Sequence, residues 1–111
     1  YGRIFANAVQ AARQMAEKGQ PVSVLKLGQI HPLDPGCVQA AAAYRRVIFF
    51  EEGSPAGGVA EHFGTQLTAL HYTGDYRIQA VEPFILTCKT DAGLRHAGLD
   101  VDGMLRAMEA D

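Results

Sequence analysis

The sequence predicts an α/β fold, with a parallel or mostly parallel sheet wrapped by helices. Three observations predict it. Val47 to Phe50 is a continuous run of β-branched and aromatic residues, which suits a strand covered on both faces. That run stops at two carboxylates and a glycine-rich stretch, Glu51 to Gly58. Val59, Phe63, Leu67 and Leu70 then follow at helical spacing, so strand, turn and helix form half of a βαβ unit. Helix-like and strand-like patterns alternate over the rest of the chain, as they do where parallel strands are joined by crossover helices.

Taken in order, Ile4 to Lys18 reads as an amphipathic helix. Phe5, Ala8, Val9, Ala12, Met15 and Ala16 form its buried stripe, and Arg3, Gln10, Arg13, Gln14 and Glu17 face water. Gly19 suits the left-handed position after a helix, and Pro21 prevents resumption. Val22 to Leu27 reads as a buried strand. Asp34 is placed to cap a helix with Pro35 at its first position. That helix is expected to run to Tyr44, with Val38, Ala41 and Ala42 inward. Arg45 and Arg46 follow at its dipole-complementing end. After the central strand and helix, Thr73-Gly74-Asp75 is a turn and Tyr76 to Val81 a strand nearer an edge. Phe84 to Lys89 reads as a loop. Thr90 or Asp91 begins a short helix ending at Gly98, and Asp100 caps a last one, Val101 to Ala110, with Met104, Leu105 and Met108 inward. Three strands are legible, few for an open sheet, and a further strand before Tyr1 would complete it.

The 111 residues suffice for one domain, 1–111, and not for two. Net charge is −2 with scattered lysines and arginines, which argues against a nucleic-acid partner. No apolar run approaches the roughly 20 residues that span a membrane, and no secretory leader is legible at Tyr1. Cys37 and Cys88 give no disulfide framework, so the cytoplasm is the expected compartment.

Loops at the carboxyl ends of strands are where α/β domains meet ligands or partners. The candidate loop or interface residues are therefore Glu51, Glu52, Gly53, Gly57, Gly58 and His62. The glycine loop matches neither the dinucleotide nor the Walker pattern, and the carboxylates before it would repel an anion. Glu51 and Glu52, being adjacent on a strand, point to opposite faces and cannot form an acid/base pair. A carboxylate there is expected to take backbone amides of the following loop, or an arginine across an interface. His31, His62, His71 and His96 show no metal-ligand spacing. No serine sits in a nucleophile elbow. No self-sufficient active site is legible.

Together these segments resemble the C-terminal domain of transketolase-like, thiamine-diphosphate-dependent enzymes, most closely the 1-deoxy-D-xylulose-5-phosphate synthase branch. Four motifs in order carry the resemblance: Tyr1-Gly2 leading into a helix, Ile30-His31-Pro32-Leu33-Asp34, Val47 to Gly53 with Gly57-Gly58-Val59, and Leu94 to Met104. Gly28 and His31 stand where that family usually has arginine and lysine, and Thr87-Cys88 where the synthases often show His-Gly. The resemblance implies a three-layer αβα sandwich whose first strand precedes Tyr1. It implies no catalytic, cofactor or metal residue in this chain. Thiamine diphosphate and Mg2+ would bind other domains of the parent enzyme, with which this one packs in a homodimer. The Glu-Glu-Gly start of the loop is also similar to the β subunits of 2-oxo acid dehydrogenases. A freestanding α/β module binding a small ligand at Glu51 to Gly58 is the alternative outside this family.

Overall fold

The structure, a computed structural model, describes residues 1–81 and 90–110. A 3-10 turn, Gly2–Ile4, leads into α1, Phe5–Glu17. Then come α2 (Pro35–Ala42), β1 (Arg46–Phe50), α3 (Val59–Ala69), β2 (Asp75–Gln79), α4 (Thr90–Ala97) and α5 (Val101–Glu109). β1 and β2 pair in parallel, with Arg46 opposite Asp75 and Phe50 opposite Gln79. The expected loop from Phe84 to Lys89, Cys88 included, and the side chains of Thr90 and Asp91 lie outside the described residues.

The alternation of β1 builds two cores. Val47 and Phe49 face a cluster made with α2 and α3, including Leu33, Val38, Ala60, Phe63 and Leu67. Phe50 faces the opposite cluster, built from Ile4, Ala8, Ala11, Leu99 and Met104. Helices therefore cover both faces of the small parallel sheet, the layering expected of an αβα sandwich.

Val22 to Leu27 does not form the expected strand. Among the described residues no backbone hydrogen bond joins it to a neighbour, and a strand exists only through its ladder. The segment still anchors both cores, Leu27 in the first and Val24 in the second, while Val22 and Leu25 stay exposed. Its apolar content is explained by these two anchor points rather than by pairing.

The face of α1 is also displaced. The buried residues are Ala8, Ala11 and Met15, continuing from Ile4. Phe5, Val9 and Ala12 are half-buried and Ala16 is exposed. α1 packs on α5, and the small side chains of Ala8 and Ala11 allow that approach. Phe5 lies to the side, with the Lys26 ammonium 5.2 Å from its ring centre.

Caps follow the local sequence closely. Asp34 accepts from the Gly36 amide at 2.9 Å, and Asp100 from the Gly103 amide at 2.9 Å, each satisfying a donor that its helix cannot. α2 ends at Ala42 rather than Tyr44. α4 closes in a paired-bond cap: the Gly98 amide donates to Arg95 O at 3.1 Å and the Leu99 amide to Leu94 O at 2.8 Å. Gly98 supplies the left-handed residue this requires, at φ 73°. The same pattern ends α3, with His71 at φ 60° as the left-handed residue. The helix thus turns before Leu70 can reach the core, and Leu70 is exposed where a buried position was expected.

The Gly98 corner folds back onto α5. A Cβ on Gly103 would lie 2.5 Å from Gly98 Cα and 2.6 Å from its carbonyl carbon and oxygen. Gln79 Nε2 donates to the carbonyls of both glycines. The spacing of Leu94, Gly98, Leu99, Asp100, Gly103 and Met104 is thus a packing requirement. Gly103→Ala should cost about 2–3 kcal/mol, because the obstructing atoms are backbone and cannot rotate away. Urea denaturation checks this, and a loss below 1 kcal/mol would mean that the corner relaxes freely.

Candidate functional site

β1 ends where Glu51 and Glu52 diverge. Glu51 continues the Val47–Phe49 side and is 1% exposed. Its Oε1 accepts from the Ala60 amide at 2.9 Å, and its Oε2 from the Val59 amide at 3.0 Å and the Tyr1 hydroxyl at 2.7 Å. These amides belong to the first turn of α3, whose N-cap, Gly58, has no side chain to offer. A residue seven positions upstream of that N-cap therefore does the capping, and its negative charge sits at the positive end of the helix dipole. This is the arrangement expected of a carboxylate that takes amides of the following loop.

The glycines make room for it. A Cβ on Gly58 would lie 2.5 Å from the Ser54 carbonyl and 2.7 Å from Glu51 Oε1, and one on Gly53 within 3.3 Å of the carboxylate. Gly57 has φ 77°, a conformation that favours glycine, and its amide donates to Glu61 Oε2 at 3.2 Å. The Gly53 carbonyl accepts from the Val81 amide at 3.0 Å, which ties the loop to the chain beyond β2.

Glu52 points to the other side. It receives Arg3 through Nε, 2.9 Å from both carboxylate oxygens, and through Nη2 at 2.6 Å. His62 is exposed on the first turn of α3, and the contacts that hold Glu51 do not involve its imidazole. The structure thus joins Glu51, Gly53 and Gly58 in one cluster, places Gly57 on its rim, and leaves Glu52 and His62 outside. Sequence reading missed Tyr1 and Tyr76. The Tyr76 hydroxyl donates to the Ala60 carbonyl at 2.5 Å, and its ring lies over Gly64, where a Cβ would be 2.8 Å from Cε2. Neither residue carries a local signal of this role, since Tyr1 is followed by Gly2-Arg3 and Tyr76 lies between Asp75 and Arg77.

Burial, then the hydrogen bond to Glu51 and its charge, push the Tyr1 phenol up to about 12. Burial first, and then the charge of Glu51, also raise Tyr76. A phenol held protonated in the fold but ionising near 10 in the unfolded chain makes the unfolded state the poorer proton binder above that pH. The stabilisation is complete below pH about 10 and is lost as pH rises toward 12. Denaturant melts across this window should show falling stability, and Tyr1→Phe should flatten the decline. An unchanged slope in that variant would contradict the assignment.

The cluster suits no anionic cofactor. The α3 amides that would receive a phosphate already hold Glu51, so a diphosphate does not fit here. Among the described residues no three His, Cys, Asp or Glu side chains converge. Cys37 Sγ lies 3.7 Å from Asp34 Oδ2; burial first and then that carboxylate raise the thiol, which disfavours its nucleophilic form. No described helix is long and apolar enough to cross a membrane.

Comparison with known proteins gives three findings. A solved structure described as "Split gene transketolase, inactive beta4 tetramer" superposes with a TM-score of 0.81 at 22% identity. The match covers 98% of this chain and 35% of that one, so this chain spans about a third of its length. No curated protein matches the sequence. The family model for "Transketolase, C-terminal domain" matches residues 1–104. A fold of two helix-covered cores and a loop closed around its own carboxylate therefore has a family: the chain belongs to the transketolase C-terminal domain family.

Proposed function

We propose that this chain is the non-catalytic C-terminal domain of a transketolase-like enzyme, and that its work is to pack against the other domains and help build a homodimer. The observation that carries this is the closed carboxyl end of the sheet. Glu51, Tyr1 and the α3 amides satisfy one another there, so the groups best placed to meet a ligand are spent internally. On this reading thiamine diphosphate and Mg2+ bind other domains of the parent enzyme. Calorimetric titration of the protein comprising residues 1–111 with thiamine diphosphate and magnesium should give no binding heat. A saturable isotherm would overturn the proposal, and would favour the freestanding ligand-binding alternative if the shifted NMR signals were those of Gly57 and Gly58.

The parent reaction is transfer of a two-carbon or acyl unit from a thiamine-diphosphate adduct. The four ordered motifs support the 1-deoxy-D-xylulose-5-phosphate synthase branch. The full-length enzyme should consume pyruvate and glyceraldehyde 3-phosphate with release of carbon dioxide. Exchange between sugar phosphates without that release would instead place it with the transketolases.

Among the described residues β1 pairs on one side only, with β2, and this supports a further strand in the parent. Arg45 O and Glu51 N bond to β2, so the alternating backbone groups of Ile48 and Phe50 point the other way. Tyr1 lies against Phe49, ring centres 6.2 Å apart, near the carboxyl end of β1, where a parallel strand added to that edge would end. In the full-length enzyme the Ile48 and Phe50 amides should be protected from hydrogen exchange. Rapid exchange there would remove the strand from the proposal.

A further inference from the structure

The first four residues cross the top of the sheet. Tyr1 packs on the first core and Ile4 is buried in the second. Between them, Gly2 at φ 74° turns the chain and Arg3 grips Glu52. The two consecutive carboxylates thus hold the segment at two points, one buried and one exposed. The buried point is shared: the Glu51 oxygen that accepts from Tyr1 also accepts from Val59.

We propose that Tyr1–Ile4 is a strap that couples whatever polypeptide leads into Tyr1 to the order of the Gly53–Gly58 loop and the first turn of α3. Displacing Tyr1 removes one of the three donors that hold the Glu51 carboxylate, and the carboxylate is then freer to leave the α3 amides. Because coupling between two sites is reciprocal, loosening Glu51 also loosens the strap. The outer contact adds a salt-sensitive component, since Arg3 and Glu52 are accessible to ions.

Hydrogen exchange on the full-length protein tests this. Tyr1→Phe keeps the ring in place and removes only the hydroxyl. It should speed exchange of the Val59 and Ala60 amides about ten-fold, the loss of one hydrogen bond to a charged group, and leave Leu67 in the middle of α3 unchanged. Glu51→Gln should in turn speed exchange at the Phe5 amide, which donates to Gly2 O, by more than at Leu67. Unchanged rates at Val59 and Ala60, or one common acceleration that includes Leu67, would overturn the strap: the first denies coupling, and the second reduces it to global stability.

Discussion

Glu51→Ala should lower the unfolding free energy by about 4 kcal/mol and the midpoint temperature by roughly 15 °C. The residue is 1% exposed. Its removal strands two amide donors of α3 and the Tyr1 hydroxyl in a space lined by Gly53 and Gly58. Each unsatisfied buried donor costs about 1–3 kcal/mol, and water entering the vacated space recovers part of that. Glu51→Gln separates charge from shape. Its amide group must turn an NH2 toward one of the three donors, so a loss of about 2 kcal/mol is expected. Urea melts of both variants decide the matter: an alanine variant within 1 kcal/mol of the parent would show that α3 does not depend on this carboxylate.

Phe63→Ala should be of similar size, about 3–5 kcal/mol. Phe63 is 2% exposed, with its ring centre 5.2 Å from Phe49 and 6.2 Å from Tyr76. It joins α3 to both strands, and the backbone around it cannot collapse without breaking the β1–β2 ladder. Phe63→Leu, which fills most of the volume, should cost no more than about 1.5 kcal/mol. Equal losses in the two variants would assign the effect to the aromatic contacts rather than to the cavity. Phe63→Ala and Glu51→Ala act on the same helix, so their combined loss should fall short of the sum.

Legibility varied with the reach of each interaction. Asp34 and Asp100 were readable as caps because a cap bonds an amide two or three residues away. The role of Glu51 was readable in kind, since a carboxylate at a strand end meets the next helix, but its third partner was not. Tyr1 is 50 positions distant, and no local pattern announces it. The stripe of α1 was displaced because periodicity gives a direction and not its zero; packing on α5 chose Ala8 and Ala11. His71 ended α3 early without a glycine to mark the place.

By itself the sequence determined where helices and the central strand fall, which residues cap α2 and α5, and that a glycine-rich turn follows two carboxylates. These depend on bonds within a few residues, whose geometry the backbone dictates. Only the tertiary structure decided that Val22 to Leu27 anchors two cores without joining a ladder, that Gly98 and Gly103 touch, and that Tyr1 shares the Glu51 carboxylate with α3. Such outcomes require two distant stretches to reach the same place, and the cost of bringing them together is met by the packing of the whole chain rather than by either stretch alone.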